Sequence, residues 1–518
     1  MIEAIPLLHD YLHLSARRLP DKTALVCQKK RLTYSEIEAR SNALAWSLEK
    51  NGVQRGDRVI VFADNTVETV IAFWAVLKAN AVVSIVNPLT KADKLAYLLD
   101  DCRAVAMMTD AHLTRVFADV VKRAKHLRTL IVSGTSDLSQ FDTIACVKSW
   151  DDAVGEGNTD CPPRRQCIDI DLAAIIYTSG STGDPKGVML THRNMITAAT
   201  SVSTYLRFAQ DEIVMCVLPL SFDYGLYQML MSYRLGATLV LERSFTFPAQ
   251  VLKVLVEEKV TSFPGVPTIF AILGELKNLS DYDFSHIRFV TNTAAALPVK
   301  HIDLLRKIFP DARVYSMYGL TECKRCTYLP PEDIDKKPTS VGIAIPNTEM
   351  WIVDEQDRRV GPHEVGQLVI RGATVMKGYW EKPEQTAKKL RPGPLPGELV
   401  LYTGDYCKMD EDGYLYFVGR MDDVIKSRGE KVAPKEVENA LVHIAGVKEV
   451  AVIGVADELL GQAVKAFVVP EQGAVLTERQ IIGEAQQRLE NFMVPKYVQI
   501  VDELPKTTTG KIKKTDLR

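Results

Sequence analysis

The stretch AAIIYTSGSTGDPKG, Ala173 to Gly187, decides how the rest of the chain is read. Its first residues are apolar and partly β-branched, and they read as a buried strand. The strand feeds a loop dense in Gly, Ser and Thr: Thr178, Ser179, Gly180, Ser181, Thr182 and Gly183, closed by Lys186. Glycine lets a backbone come close to a ligand. Hydroxyls and successive N–H groups cradle phosphate oxygens, and a lysine adds a mobile point charge. A plain surface turn is the alternative, but a turn does not need this whole string. The loop lacks the spacing G-x-x-x-x-G-K-[ST] and also lacks G-x-G-x-x-G, so it is neither a Walker loop nor a dinucleotide fingerprint.

Outward from this strand, the same texture repeats. RVIVFA (58–63), AVVSIVN, AVAMMTD, TLIVSG, ATLVLE, TSFPGV, RFVTNT and RVYSMYG read as buried strands, with amphipathic helical patterns between several of them. That alternation predicts an α/β fold built on layered, mostly parallel sheets. EMWIVDE, GQLVIRG and YLYFVGR, with more turn residues between them, predict a smaller and more antiparallel β region. After GRMDD the pattern changes to a helix (PKEVENALVHI), two strands, a second helix and a Lys-rich end. The expectation is a large N-terminal domain over 1–421 and a small C-terminal α+β domain over 422–518, in keeping with a chain of 518 residues being too long for one core.

Composition narrows the function classes. Hydrophobic residues make up 47% and charged residues 25%, and the formal net charge is -2, so no basic excess points to nucleic acid or to an anionic membrane. No stretch offers about 20 consecutive apolar residues for a membrane span. The N-terminus has no basic leader before an apolar run. Nine cysteines, irregularly spaced, argue against a disulfide framework and for a reducing cytoplasmic setting. The Cys323/Cys326 pair has no second pair at metal-binding spacing.

The phosphate-loop string resembles the signature of the superfamily that contains acyl-CoA synthetases, peptide-synthetase adenylation domains and firefly luciferase. Further signatures follow in order along nearly the whole chain. SMYGLTE, Ser316 to Glu322, resembles the adenine and magnesium motif; YTGD, Tyr402 to Asp405, the ribose motif. GRMDDVIKSRGEKVAPKEVE, Gly419 to Glu438, resembles the hinge and thiolation motif, and LPKTTTGKIKK, Leu504 to Lys514, the catalytic-lysine motif. The resemblance implies ATP-dependent conversion of a carboxylic acid to acyl-AMP, then transfer to a thiol, with a mobile C-terminal domain turning about Asp422. It implies nucleotide contacts from the phosphate loop, Tyr318, Gly319, Thr321, Asp405 and Arg420. A carboxylate such as Glu322 suits Mg²⁺, a hard cation that prefers oxygen ligands. Asp405 suits a ribose diol. Lys511 suits a bridge between the acid carboxylate and the α-phosphate, with Lys186 as a further cation; without the resemblance it reads as part of a solvated basic tail. His192, just past the loop, either faces the nucleotide or packs at a helix start.

The acid itself is read from PLSFDYGLYQ, Pro219 to Gln228, with Asp223, Tyr224, Tyr227 and Ala294, Ala295 and Ala296 as pocket residues. A fixed carboxylate at Asp223 is unfavourable beside an anionic substrate unless that substrate also carries a cation. The expectation is therefore an amino acid, and the resemblance to standalone enzymes that activate proline implies a small one such as proline, loaded onto the phosphopantetheine of a separate carrier protein. The alternative for Asp223 is that it caps a helix or pairs internally. Leu320 in the adenine motif and the CoA-ligase style of the hinge pull against a pure peptide-synthetase assignment and leave the acceptor, carrier protein or CoA, open; a fatty- or aryl-acyl-CoA ligase is the second reading. A nucleotide-binding scaffold without catalysis is a third reading, and intact Lys186, Glu322, Asp405 and Lys511 count against it.

Overall fold

The structure is a computed structural model that describes residues 7–135, 137–178, 185–293, 297–423, 425–427, 430–457, 461–507 and 512–517. Packing divides the chain into two units. The first holds 1–338, 344–349 and 371–401; the second holds 339–343, 350–370 and 402–518.

The uninterrupted β-branched runs become parallel strands, as expected of strands buried on both faces. In the first unit one sheet runs Gly378–Tyr379, Lys186–Thr191, Leu172–Thr178, Val82–Val86, Arg58–Phe62, Ala104–Asp110, Thr129–Ser133, Cys146–Ser149. Every pairing from Leu172–Thr178 to Cys146–Ser149 is parallel. A second sheet carries Cys323–Leu329, Arg313–Leu320, Phe289–Asn292, Ser262–Gly265, Ile213–Cys216, Thr238–Leu241, Thr23–Cys27 and Lys30–Thr33 in that order. It is parallel in the middle and carries an antiparallel hairpin toward each end. Every run read as a strand in the sequence up to RVYSMYG is one.

Two glycines fix local approaches that matter for the site. A Cβ on Gly187 would lie 2.6 Å from Ile175 Cγ2, so the strands on either side of the phosphate loop pack closely only because position 187 is bare. A Cβ on Gly225 would sit 2.4 Å from the carbonyl oxygen of Pro219. The helix Asp223–Leu235 can therefore start hard against the preceding backbone.

Leu399–Met409, which belongs to the second unit from Tyr402 on, pairs antiparallel with Leu415–Arg420. A further sheet orders Glu430–Val432, Ile425–Ser427, Gly461–Pro470 and Val447–Asp457, with Tyr497–Ile500 added parallel to Gly461–Pro470. The two-residue period of the strands is plain here. Val450 and Val452 pack with Val437, Leu441 and Ile481 of the helices Pro434–Leu441 and Glu478–Gln486. Ala451 and Ile453 face the other way, against Leu504, Ile512 and Leu517 of the C-terminal segment. By packing, residues 402–421 go with the second unit; the domain limits of 1–421 and 422–518 remain a proposal about which part moves.

Candidate active site

The strand Leu172–Thr178 and the strand Lys186–Thr191 pair antiparallel, with Tyr177 opposite Gly187 and Thr178 opposite Lys186. The two ends of the phosphate loop are thus held side by side. Ser179, Gly180, Ser181, Thr182 and Gly183 lie outside the described residues. Lys186 Nζ stands 5.7 Å over the ring of Tyr379. The Tyr379 hydroxyl donates a hydrogen bond of 2.7 Å to Glu322 Oε1. One tyrosine therefore links the cation that closes the phosphate loop to the acid of the SMYGLTE motif.

Backbone bonds lock this arrangement. Met376 N–H donates to the carbonyl of Glu322 and Trp380 N–H to the carbonyl of Gly187, both at 2.8 Å. Tyr379 pairs with Val188 at the sheet edge. Glu322 sits at the tip of the hairpin formed by Arg313–Leu320 and Cys323–Leu329, where Leu320 faces Cys323. Tyr318 and Gly319 lie on the first strand of that hairpin, and Thr321 shares its tip. Of the Glu322 carboxylate, Oε1 alone accepts a hydrogen bond from a described residue. A half-buried carboxylate with one oxygen anchored is a donor set that fits Mg²⁺. Tyr379 was not picked out from the sequence. Its only signal was a Gly-Tyr-Trp run, Gly378 to Trp380, more than 50 residues beyond the motif it serves.

In the second unit Asp405 is buried and forms an ion pair of 3.0 Å with Arg420 Nε, its partner across the strand pair. Its N–H donates to Thr403 Oγ1 at 3.1 Å, and Thr403 in turn donates to the carbonyl of Leu368 at 2.8 Å. The YTGD turn is thereby fixed. Asp422 falls in the short helical turn Met421–Asp423, and its side chain is outside the described residues, as is Lys511. The lysines around position 511 are engaged. Lys506 pairs with Glu449 at 2.8 Å, Lys514 with Glu438 at 2.7 Å and Lys513 with Asp516 at 2.8 Å. The described residues on either side of position 511 are thus tied to the unit, which counts against the alternative of a solvated tail.

Asp223 opens the helix Asp223–Leu235, where an acid is favourable. It is not without a cation. Lys324 Nζ lies 3.1 Å from Asp223 Oδ1, with the two side chains 6% and 8% exposed. The premise that a substrate ammonium must balance Asp223 therefore fails, because the fold supplies the counter-charge. Tyr224 and Tyr227 are fully buried. The Tyr224 hydroxyl is spent on Thr291, at 2.8 Å from the carbonyl oxygen and 2.6 Å from Oγ1. Lys324 lies over both tyrosine rings, at 5.7 and 5.2 Å, and Arg325 over that of Tyr224 at 4.9 Å. Lys324 and Arg325 were not anticipated. Ala294, Ala295 and Ala296 are outside the described residues.

His192 resolves to packing. Its Nδ1 accepts the N–H of Leu8 at 3.0 Å, and burial pushes its pKa down to about 4. All nine cysteines are free thiols; Cys326 Sγ is directed at the carbonyl of Cys323 and Cys323 Sγ at Thr374. Among the described residues no helix is long and apolar enough to cross a membrane.

Comparison with known proteins adds to this geometry. The profile of the AMP-binding enzyme family matches residues 12–380, and that of the AMP-binding enzyme C-terminal domain matches residues 436–511. A long-chain-fatty-acid–CoA ligase of Bacillus subtilis is 34% identical over 520 residues, covering 96% of this chain and 91% of the relative. A 4-coumarate–CoA ligase of Solanum tuberosum is 31% identical, covering 99% and 93%. Among solved structures, the anthranilate CoA ligase AuaEII in complex with anthranoyl-AMP superposes with a TM-score of 0.89 at 26% identity, over 99% of this chain and 96% of that one.

Proposed function

The chain belongs to the AMP-binding enzymes, the superfamily of adenylate-forming enzymes, and on that footing we propose that it is an acyl-CoA ligase acting on a compact carboxylic acid. In the first step a carboxylate oxygen attacks the α-phosphorus of ATP. The acyl–phosphate bond forms as the bond to pyrophosphate breaks. In the second step the thiol of CoA attacks the acyl carbon, AMP leaves, and the thiol proton is lost to solvent.

The observation that carries this reading is the Lys186–Tyr379–Glu322 chain, which brings the loop cation and the metal-binding acid of two distant motifs to one place. The nucleophile is already an anion, so no general base is required; the protein's work is to position two anions and offset their charge. Lys186 would meet the phosphates. Glu322 would hold Mg²⁺, which when bound neutralises phosphate charge. Asp405, held by Arg420, would orient the ribose. Lys511 is assigned to the acid and α-phosphate, and Asp422 to the hinge, by resemblance alone.

Two observations favour a CoA ligase for a compact acid over an amino-acid ligase serving a carrier protein. Asp223 is already paired with Lys324, so an ammonium would have to displace that lysine. The relatives named above are CoA ligases. The compact acid is supported by the buried, charge-lined surroundings of Tyr224 and Tyr227, which among the described residues offer no apolar channel for a long chain. Pyrophosphate release with ATP, Mg²⁺ and a panel of acids, followed by thioester formation with free CoA, tests this. Turnover with acids lacking an amino group, ending in acyl-CoA, is the expected result. Turnover confined to proline or another amino acid, with free CoA unused, would restore the carrier-protein reading.

A further inference from the structure

The acid side of the site holds a buried guanidinium, that of Arg325, with nitrogens that no hydrogen bond satisfies. Lys324 and Arg325 are consecutive and both buried, and Asp223 is the carboxylate paired with Lys324. Arg325 is only 2% exposed. Its Nε and Nη1 are buried without a hydrogen-bond partner. Tyr224 offers its ring face at 4.9 Å, but its hydroxyl is committed to Thr291. A cation–π contact satisfies part of a guanidinium's charge and none of its in-plane N–H groups. A buried charge without a hydrogen-bonded counter-charge is among the costliest features a fold can hold. A protein that keeps one gains from a partner that arrives with the ligand.

Position says which part of a ligand that would be. Arg325 follows Glu322 by three residues on the strand Cys323–Leu329. At about 3.3 Å per residue, Arg325 lies about 10 Å along the hairpin from the acid assigned to the metal and phosphates. The tyrosine assigned to the acid lies beside Arg325, so the far end of a short acid activated near Glu322 is the part it would meet. A carboxylate is the counter-charge a guanidinium takes best, since its oxygens accept charge-assisted hydrogen bonds from N–H donors.

We propose that Arg325 receives a second carboxylate of the substrate, so that the enzyme activates one end of a compact dicarboxylic acid while the guanidinium holds the other. The inference rests on the ligase reading above and deepens it. Lys324 and Asp223 then form the neutral wall beside Arg325, and the faces of Tyr224 and Tyr227 flank the carbon skeleton.

The experiment compares glutarate, adipate and isophthalate with pentanoate, hexanoate and benzoate in pyrophosphate release and CoA thioester formation. The expected result is a kcat/KM for at least one diacid that is about 10- to 100-fold above its monoacid counterpart, the range for a hydrogen-bonded charge. Arg325→Met should erase that preference and Arg325→Lys should keep part of it. Thermal unfolding without ATP gives an independent reading: the preferred diacid should raise the Tm of the natural protein and leave that of Arg325→Met unmoved. Arg325→Met should itself unfold at a higher Tm when no acid is present, because a buried guanidinium with unsatisfied nitrogens has been removed. Equal or better turnover of monoacids by the natural protein overturns the proposal, and so does a diacid preference that survives in Arg325→Met. Protection by a diacid without pyrophosphate release from any acid would uphold the role of Arg325 and sink the ligase reading instead. Neither protection nor turnover would sink both.

Discussion

One hairpin carries two charged clusters that are built in opposite ways. At its tip, Glu322 is half-buried, one oxygen is steadied by Tyr379, and Lys186 stands near that same ring. A few residues further on, Lys324 and Arg325 are enclosed, with Asp223 and two tyrosine faces for company. The first cluster keeps its charges near water, where they can adjust to a hydrated, highly charged nucleotide. The second has dehydrated its charges in advance. Interactions in such a place are strong and exacting, since a ligand that fails to satisfy them leaves the full desolvation penalty standing. The tip is suited to the chemistry shared by a superfamily, and the enclosed end to the choice of acid.

The largest expected effect follows from that contrast. Asp223→Asn leaves Lys324 with ring faces but without its carboxylate, and breaking a buried pair from one side costs about 3–5 kcal/mol. Adding Lys324→Met should recover most of it, since replacing both partners is often close to neutral. Urea unfolding of the single and double variants, monitored through the first unit, measures the difference. If Asp223→Asn is as stable as the natural protein yet inactive, the carboxylate faces substrate and the two clusters are more alike than described.

On the nucleotide side, Lys511→Ala should lower acyl-AMP formation by about 100- to 1,000-fold, the usual loss when one group aimed at developing charge is removed. Thioester formation from preformed acyl-AMP and CoA should continue. Equal losses in both half-reactions would mean that Lys511 supports the fold or the thiol step rather than the first displacement.

The contrast also explains what the sequence disclosed. Strands such as AVAMMTD were legible because an unbroken apolar run has few other uses. The tip cluster was legible in part, because Lys186 and Glu322 sit in local strings whose composition follows from phosphate and metal binding. Tyr379 was not, since its role exists only through a sheet pairing with Val188 far back in the chain. The enclosed cluster was misread for a related reason. CKRCTYL, Cys323 to Leu329, carries two adjacent cations where a buried strand should be apolar, so nothing marked it as buried. The pairing of Lys324 with Asp223 spans about a hundred residues, and without it Asp223 looked like a charge awaiting a substrate.

A smaller effect tests His192, which lies just beyond the phosphate loop and belongs to neither cluster. Its folded pKa of about 4 lies below that of an unfolded histidine, about 6.5, so the unfolded chain binds the proton first as pH falls. The contribution of neutral His192 to stability is complete above pH about 6.5 and is lost as pH falls toward 4, by up to about 3 kcal/mol. His192→Asn can still accept the Leu8 N–H, and it should flatten the drop in urea midpoint between pH 7.5 and 5. His9 and His301, also pushed down by burial, will keep some pH dependence in the variant. An unchanged profile would remove His192 from the acid sensitivity of the fold.

The smallest effect probes the tip most sharply. Tyr379→Phe keeps the ring under Lys186 and removes only the hydroxyl that donates to Glu322 Oε1. A hydrogen bond to a charged group at a half-exposed site is worth about 1–2 kcal/mol, so pyrophosphate release should fall by about 5- to 30-fold. The loss should be concentrated in the Mg²⁺ concentration needed for half-maximal rate, because what the hydroxyl supplies is the orientation of a metal-binding carboxylate. A diacid-to-monoacid preference set at Arg325 should be untouched. If instead Tyr379→Phe alters acid choice and leaves the Mg²⁺ dependence alone, Glu322 does not serve the metal, and the division between a shared tip and a selective interior has to be redrawn.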